Sequence, residues 1–220
     1  MNELTPLGIL GGTFDPVHFG HLRLAEEARE QLGLGEVRWI PAGQPAHRVA
    51  PRSAPQHRLE MVRLAIAGNS TFHLDDAEAR SAAPSYSVPT MARLRAELGA
   101  RRPLVLLLGA DAFLGLETWH RWRELFGLAH LAVATRPGSQ LDMARMPDAL
   151  AAEFAARRCH SSAALGETPA GGILPFSITA LDISATLLRA NLATGCSSRY
   201  LLPDPVLDYI FLNRLYSSTY

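Results

Sequence analysis

Cysteine is scarce in this sequence: two occur among 220 residues, Cys159 and Cys196. They lack the spacing of a metal site and read as small filler or surface residues rather than as a disulfide or a nucleophile. Charge imbalance is missing as well. Lys+Arg and Asp+Glu both number 21, so there is no basic field of the kind that tracks a nucleic-acid backbone, and a small molecule is the expected partner. No apolar run is long enough to span a bilayer and no basic-then-apolar leader is visible, which makes a cytoplasmic protein with no membrane partner the expectation. Internal repeats are absent. A hydrophobic share of 48% over this length suits one α/β domain with a sizeable core, spanning residues 1–220.

What is present is concentrated in Gly11-Gly12-Thr13-Phe14-Asp15-Pro16-Val17-His18-Phe19-Gly20-His21, between an apolar run (Leu7 to Leu10) and an amphipathic helical pattern. A short buried strand ending in two glycines lets the backbone approach a ligand closely, and the next helix points its N-terminal N–H groups at the same spot. That describes a phosphate cradle. The glycines do not fit G-x-G-x-x-G, and no Lys-Ser/Thr follows as a Walker loop requires. Two histidines stand in the lysine's place. Running the helical phase of Leu22, Ala25, Ala28 and Leu32 backwards puts His18 and His21 on one face at the helix start, where two imidazoles would face the phosphate. The alternatives are a tight glycine turn with two capping histidines, or a His-x-x-His metal pair whose only third ligand in the loop is Asp15.

This segment resembles the H-x-G-H signature of the nucleotidyltransferases, and it is close to the form found in bacterial nicotinate-nucleotide adenylyltransferases. The resemblance implies a Rossmann-like fold, His18 and His21 as catalytic groups, and Gly11, Gly12, Thr13 and Phe14 as part of an ATP site.

Further along, Val37 to Ile40 reads as a second strand, and strands alternating with helical patterns argue for a doubly wound parallel sheet whose ligands gather at the strands' carboxyl ends. His47 and Arg48 leave that strand at the same edge, with Arg48 as a phosphate clamp. The family usually shows Pro-Pro-His-Lys/Arg here, and Ala46 replaces the second proline. A solvated basic loop is the alternative. Val49 to Pro55 is a surface loop able to order over the ligand. Gln56 to Ala67 is a covering helix with a structural role only, Phe72 to Leu74 a short strand, and Glu78 to Ser87 a polar connection before a helix over Val88 to Leu98, ended by Gly99. The connection resembles the family's Pro-Ser-Tyr-Thr segment beside the pyridine ring, which implicates Tyr86 and Ser87. Ser85 or Ser87 as an N-cap is the other explanation.

Pro103 to Leu108 is the most apolar strand and is expected to be central. At its end, Gly109 permits close approach and Asp111 can accept from both ribose hydroxyls, as the family's Gly-x-Asp does; Asp111 could equally cap a helix over Ala112 to Leu116. In Thr118-Trp119-His120-Arg121-Trp122, the two tryptophans could be a buried helical stripe. The resemblance makes Trp119 the aromatic that stacks the pyridine, with His120 beside it, and Trp122 the core residue. His130 to Ala134 and Ile173 to Ile178 are further strands, with Arg136 at a ligand-edge turn and a surface helix over Pro147 to Arg158. Ser184 as N-cap, Thr186 in the first turn and Arg189 folding back form a second phosphate cradle, resembling the family's Ile-Ser-x-Thr-x-x-Arg. Gly195 closes that helix, and a final helix runs to Leu215.

Taken together the resemblance implies an adenylyltransferase joining ATP and nicotinate mononucleotide to give deamido-NAD and pyrophosphate, with Mg²⁺ carried by the ATP phosphates and no protein metal site. The attacking 5′-phosphate is already mostly dianionic, since such a second pKa is about 6, so no side-chain base is required. Two rivals stand beside this. One is a sibling enzyme, a pantetheine-phosphate adenylyltransferase or cytidylyltransferase; the other is a nucleotide-sensing module without turnover. Oligomeric state is not legible.

Overall fold

The computed structural model describes residues 5–46, 50–135 and 141–217. Its strands are β1 (Leu7–Gly12), β2 (Glu36–Pro41), β3 (Phe72–Leu74), β4 (Leu104–Gly109), β5 (His130–Thr135) and β6 (Ile173–Ser177). They form one sheet in the order β3-β2-β1-β4-β5-β6. The pairs β1 with β4, β4 with β5 and β5 with β6 are parallel, with Leu7 opposite Leu104, Val105 opposite His130 and Leu131 opposite Ile173. Such a sheet must be covered on both faces, which is why β4 and β5 are near-continuous apolar runs buried along almost their whole length. This is the doubly wound α/β order, which reverses direction between β1 and β4. Ligands of such sheets bind at the carboxyl ends beside the reversal, and both strands there end in glycine.

By its contacts the chain divides into two compact units, one of Met1–Gly11, Leu24–Arg38 and Tyr86–Thr179, the other of Gly12–Arg23, Trp39–Ser85 and Ala180–Tyr220. In the first, Arg95 gathers loop ends by donating to the carbonyls of Gly99, Arg102, Leu128 and Pro169 at 2.6–3.1 Å. His130 is locked in one tautomer: the Gly172 N–H donates to Nδ1 (3.0 Å), so Nε2 carries the proton and donates to the Thr168 carbonyl (2.8 Å). In the second unit, the helices α1 (Phe19–Gln31, its first residues), α2 (Pro55–Ile66), α3 (Ala185–Ala193) and α4 (Asp204–Leu212) accompany an aromatic core of Phe14, Trp39 and Phe72, with ring centroids 5.4 and 5.5 Å apart.

Several local expectations are revised. Residues 78–87 are more than a polar connection: a helix spans Ala77–Arg80, held by an Asp76–Arg80 ion pair at 2.5 Å, and Pro84–Ser85 pairs in parallel with Gln44–Pro45. The hydroxyl of Ser85 serves that pairing by accepting from the Gly43 and Gln44 N–H groups. The N-cap position before the helix Ser87–Leu98 falls on Tyr86, without a side-chain cap bond; neither serine caps it. Asp111 is no cap either, because the helix starts at Ala110 with Gly109 at the N-cap. The two tryptophans do not share a helical stripe: Trp119 ends one 3₁₀ turn, Leu116–Thr118, and Trp122 starts another. The last helix stops at Leu212, where Asn213 turns its amide back onto the Tyr209 carbonyl (2.9 Å). Both cysteines are free thiols, and no described helix is long and apolar enough to cross a membrane.

Candidate active site

The histidine pair is built by a sharp turn after β1. Phe14 takes a left-handed conformation (φ 51°) and lays its ring over Gly12, where a Cβ would come within 2.8 Å of the ring. Only glycine fits there. Phe14 is itself buried and meets the His21 ring edge-on at 5.1 Å, so its side chain is a support for His21, and anything it offers a nucleotide comes from the backbone. After a cis Asp15–Pro16 bond, His18 and His21 stack with centroids 3.8 Å apart and planes 30° from parallel, as the i, i+3 spacing requires. Gly20 makes room for the stack, since a Cβ there would sit 3.0 Å from the His18 ring.

The two rings differ in chemistry. The backbone N–H of His18 donates to His21 Nδ1 (3.3 Å), so the proton of a neutral His21 ring is on Nε2. His18 is buried, its Nδ1 has no partner, and burial pushes its pKa down to about 4. It is therefore an uncharged imidazole at neutral pH. The helix start contributes less than its position suggests, because the N–H groups of His18 and Phe19 are already taken, by His21 Nδ1 and by the Leu201 carbonyl (3.1 Å).

The second cradle lies at the start of α3. Ser184 caps it, accepting from the Leu187 N–H at 3.2 Å. Arg189 folds back as the spacing predicts, with Nη2 donating to Thr186 Oγ1 (3.3 Å) and Nη1 to the Asp15 carbonyl (2.7 Å). Thus the catalytic candidates His18, His21 and Arg189, with Ser184 and Thr186, belong to one unit, joined through the loop that carries Asp15. Behind that loop, Arg58 is fully buried and its guanidinium donates to the carbonyls of Thr13, Ala42, Gly43 and Ser53. Burial lowers its pKa, while the nearby Asp15 and Tyr216 favour its charge.

Residues 9–191 match the family model described as Cytidylyltransferase-like. The chain is 59% identical over 214 residues to the Probable nicotinate-nucleotide adenylyltransferase of Dechloromonas aromatica (strain RCB), covering 97% of this chain and 99% of that one. It is 52% identical over 203 residues to the protein of the same name from Halorhodospira halophila (strain DSM 244 / SL1), covering 92% and 91%. The chain belongs to the nicotinate-nucleotide adenylyltransferase family. Among solved structures, Plasmodium falciparum nicotinic acid mononucleotide adenylyltransferase complexed with NaAD matches with a TM-score of 0.71 at 16% identity, over 96% of this chain and 97% of that one. The same enzyme complexed with APC matches at 0.66 and 17%, with the same coverage. At such identities these two speak for the fold, and the closer relatives carry the family.

Gly109, Asp111, Tyr86, Ser87, Trp119 and His120 lie in the first unit. Gly109 ends β4 with open space around it, and the exposed Asp111 carboxylate follows in the first turn of a short helix. Tyr86 and His120 pack ring against ring, centroids 4.7 Å apart. Ser87 and Trp119 are half-buried, while Trp122 is core, 7% exposed and edge-on to Phe126. His47, Arg48 and Arg136 lie outside the described residues. Ser53, Arg58 and Tyr216 carry no signal in the sequence, and Asp15, which stood out only as a possible metal ligand, is bound instead by the Ser53 and Tyr216 hydroxyls.

Proposed function

We propose that this chain transfers the adenylyl group of ATP to nicotinate mononucleotide, giving deamido-NAD and pyrophosphate, with the site residues acting as follows. An oxygen of the mononucleotide's 5′-phosphate attacks the α-phosphorus of ATP, the new P–O bond forms as the bond from the α-phosphorus to the bridging oxygen breaks, and pyrophosphate leaves. The nucleophile is already ionised, so catalysis consists of placing two phosphates in line and stabilising charge. His21 donates from Nε2, His18 donates as a neutral imidazole, and Arg189 supplies the fixed positive charge. Two stacked imidazoliums would repel each other, which favours one cation from arginine over two from histidine. Gly11, Gly12, Thr13, Phe14, Ser184 and Thr186 line the ATP phosphates, and Gly109 and Asp111 take the adenosine ribose. Tyr86, Ser87, Trp119 and His120, with His47 and Arg48, receive the mononucleotide.

Mg²⁺ accompanies ATP on its phosphates in this reading. Among the described residues no group of three or more His, Cys, Asp or Glu side chains could hold a metal, and no step is assigned to the ion. The observation that carries the proposal is the stacked His18–His21 pair in the unit where Arg189 is tied to the Asp15 carbonyl. The test is pyrophosphate release with Mg²⁺ and ATP or CTP in the presence of nicotinate mononucleotide or a pantetheine phosphate. Release with nicotinate mononucleotide supports it; release only with a pantetheine phosphate or CTP would point to a sibling activity, and none with any acceptor to a sensing module.

A further inference from the structure

An acidic side chain within an anion cradle opposes its ligand unless its charge is used elsewhere. Asp15 is buried, 4% exposed, and both carboxylate oxygens are occupied. Oδ1 accepts from the Tyr216 hydroxyl (2.6 Å), the Ser53 hydroxyl (2.5 Å) and the Ser53 N–H (3.3 Å); Oδ2 accepts from the Arg52 N–H (2.8 Å). The backbone carbonyl of the same residue takes Arg189 Nη1, and Oδ2 lies 4.0 Å from that nitrogen. A guanidinium is a planar fork with five donors. Anchoring one N–H on the Asp15 carbonyl and one on Thr186 fixes the plane of the fork and leaves its other donors in a set direction.

The Tyr216 hydroxyl therefore reaches Arg189 through one residue. It arrives from near the other end of the sequence, on a residue held at φ 62° and 9% exposed. Burial and the Asp15 hydrogen bond raise the phenol's pKa, so it stays a donor throughout the working range. We infer that Asp15 and Tyr216 are positioning residues for the adenylyl transfer: the Tyr216 hydroxyl fixes the Asp15 carboxylate, and the Asp15 carbonyl in turn aims Arg189 at the phosphates. The inference rests on Arg189 acting as the phosphate ligand of the proposed function.

A merely structural staple would make the same contacts, so the test must separate stability from aim. Tyr216→Phe removes only the hydroxyl. It is made in the full chain, alone and combined with Arg189→Ala, and each protein is assayed for pyrophosphate release with ATP, Mg²⁺ and nicotinate mononucleotide, alongside its Tm. Tyr216→Phe is expected to lower kcat about tenfold with the KM for the mononucleotide within about twofold, and to cost nothing further once Arg189 is alanine, while its Tm shift is equal in both backgrounds. An equal fold-loss of kcat in both backgrounds, or a lowered Tm with kcat unchanged, would overturn the inference. A loss under about tenfold for Arg189→Ala alone would overturn the reading of Arg189 first, and the inference with it. Should Tyr216→Phe not fold, Ser53→Ala, which removes the other hydroxyl on Oδ1, goes through the same cycle under the same criteria.

Discussion

The burial of His18 has a measurable consequence for stability. In an unfolded chain a histidine titrates near 6.5, and in the folded protein this ring is pushed down to about 4. At about 1.4 kcal/mol per pKa unit, that depression corresponds to about 3 kcal/mol. The folded state disfavours the protonated ring, so above pH 6.5 neither state holds the proton and the term vanishes. As pH falls below 6.5, the unfolded chain takes up a proton that the folded ring refuses, and stability drops; the loss is about 2 kcal/mol at pH 5 and complete below about pH 4. Urea unfolding of the wild type and of His18→Gln at pH 7.5, 6 and 5 isolates the term, because other titrating groups cancel in the difference. The variant should gain on the wild type by about 2 kcal/mol between pH 7.5 and pH 5. Adding pyrophosphate should flatten the wild-type profile, since an anion against the ring favours its protonated form. Parallel profiles for the two proteins would refute the assignment of a buried, neutral His18.

His21→Ala should lower kcat by roughly 10²-fold with native circular dichroism, as for a lost transition-state donor, and a loss under about tenfold would remove its phosphate role. Asp111→Ala should weaken ATP binding more than mononucleotide binding in calorimetric titrations; its exposed carboxylate has no cap bond to lose, so an equal loss for both ligands would count against the ribose assignment. Trp119→Ala should raise KM for the mononucleotide at saturating ATP, reflecting about 0.5–2 kcal/mol of cation–π contact with the pyridinium, and an unchanged KM would leave Trp119 a structural residue. Arg58→Lys should cost about 3–5 kcal/mol in chemical denaturation, the scale of a disrupted buried charge, and a cost under about 1 kcal/mol would show that the carbonyls it holds find other partners.

Much of the fold was legible because its signals are local. Leu104–Gly109 is a strand buried on both faces and its sequence is almost wholly apolar; Ser184 announces a helix start and Gly195, at φ 74°, follows its end. That His18 and His21 would be neighbours at a helix start follows from their spacing, and their rings do stack. What was not legible depends on residues far apart in sequence. Tyr216 lies 201 positions from Asp15 and Arg58 lies 45 from Thr13, and no periodicity announces either contact. The ring of Phe14 was not legible for a related reason: its place in a glycine loop points to a ligand, while its left-handed backbone turns the ring onto Gly12 and Trp39 and leaves the backbone for any ligand.

The same blindness applies to the arginines, and here composition has a meaning that only the structure supplies. The 220 residues contain no lysine, so all 21 basic side chains are arginine. Several form exposed ion pairs with a glutamate three residues away, such as Arg63–Glu60 and Arg121–Glu124, where either basic residue would serve. Arg95 and Arg58 are different. Each brackets four backbone carbonyls from separate loops, one in each unit, with a single rigid fork. An ammonium has three donors at one point and could not reach all four acceptors, and buried lysines readily lose their charge, whereas a guanidinium keeps its own. At Arg58 that permanence keeps a fully buried charge on the Thr13 carbonyl, in the turn after β1, where the nearby Asp15 and Tyr216 favour it against the cost of burial.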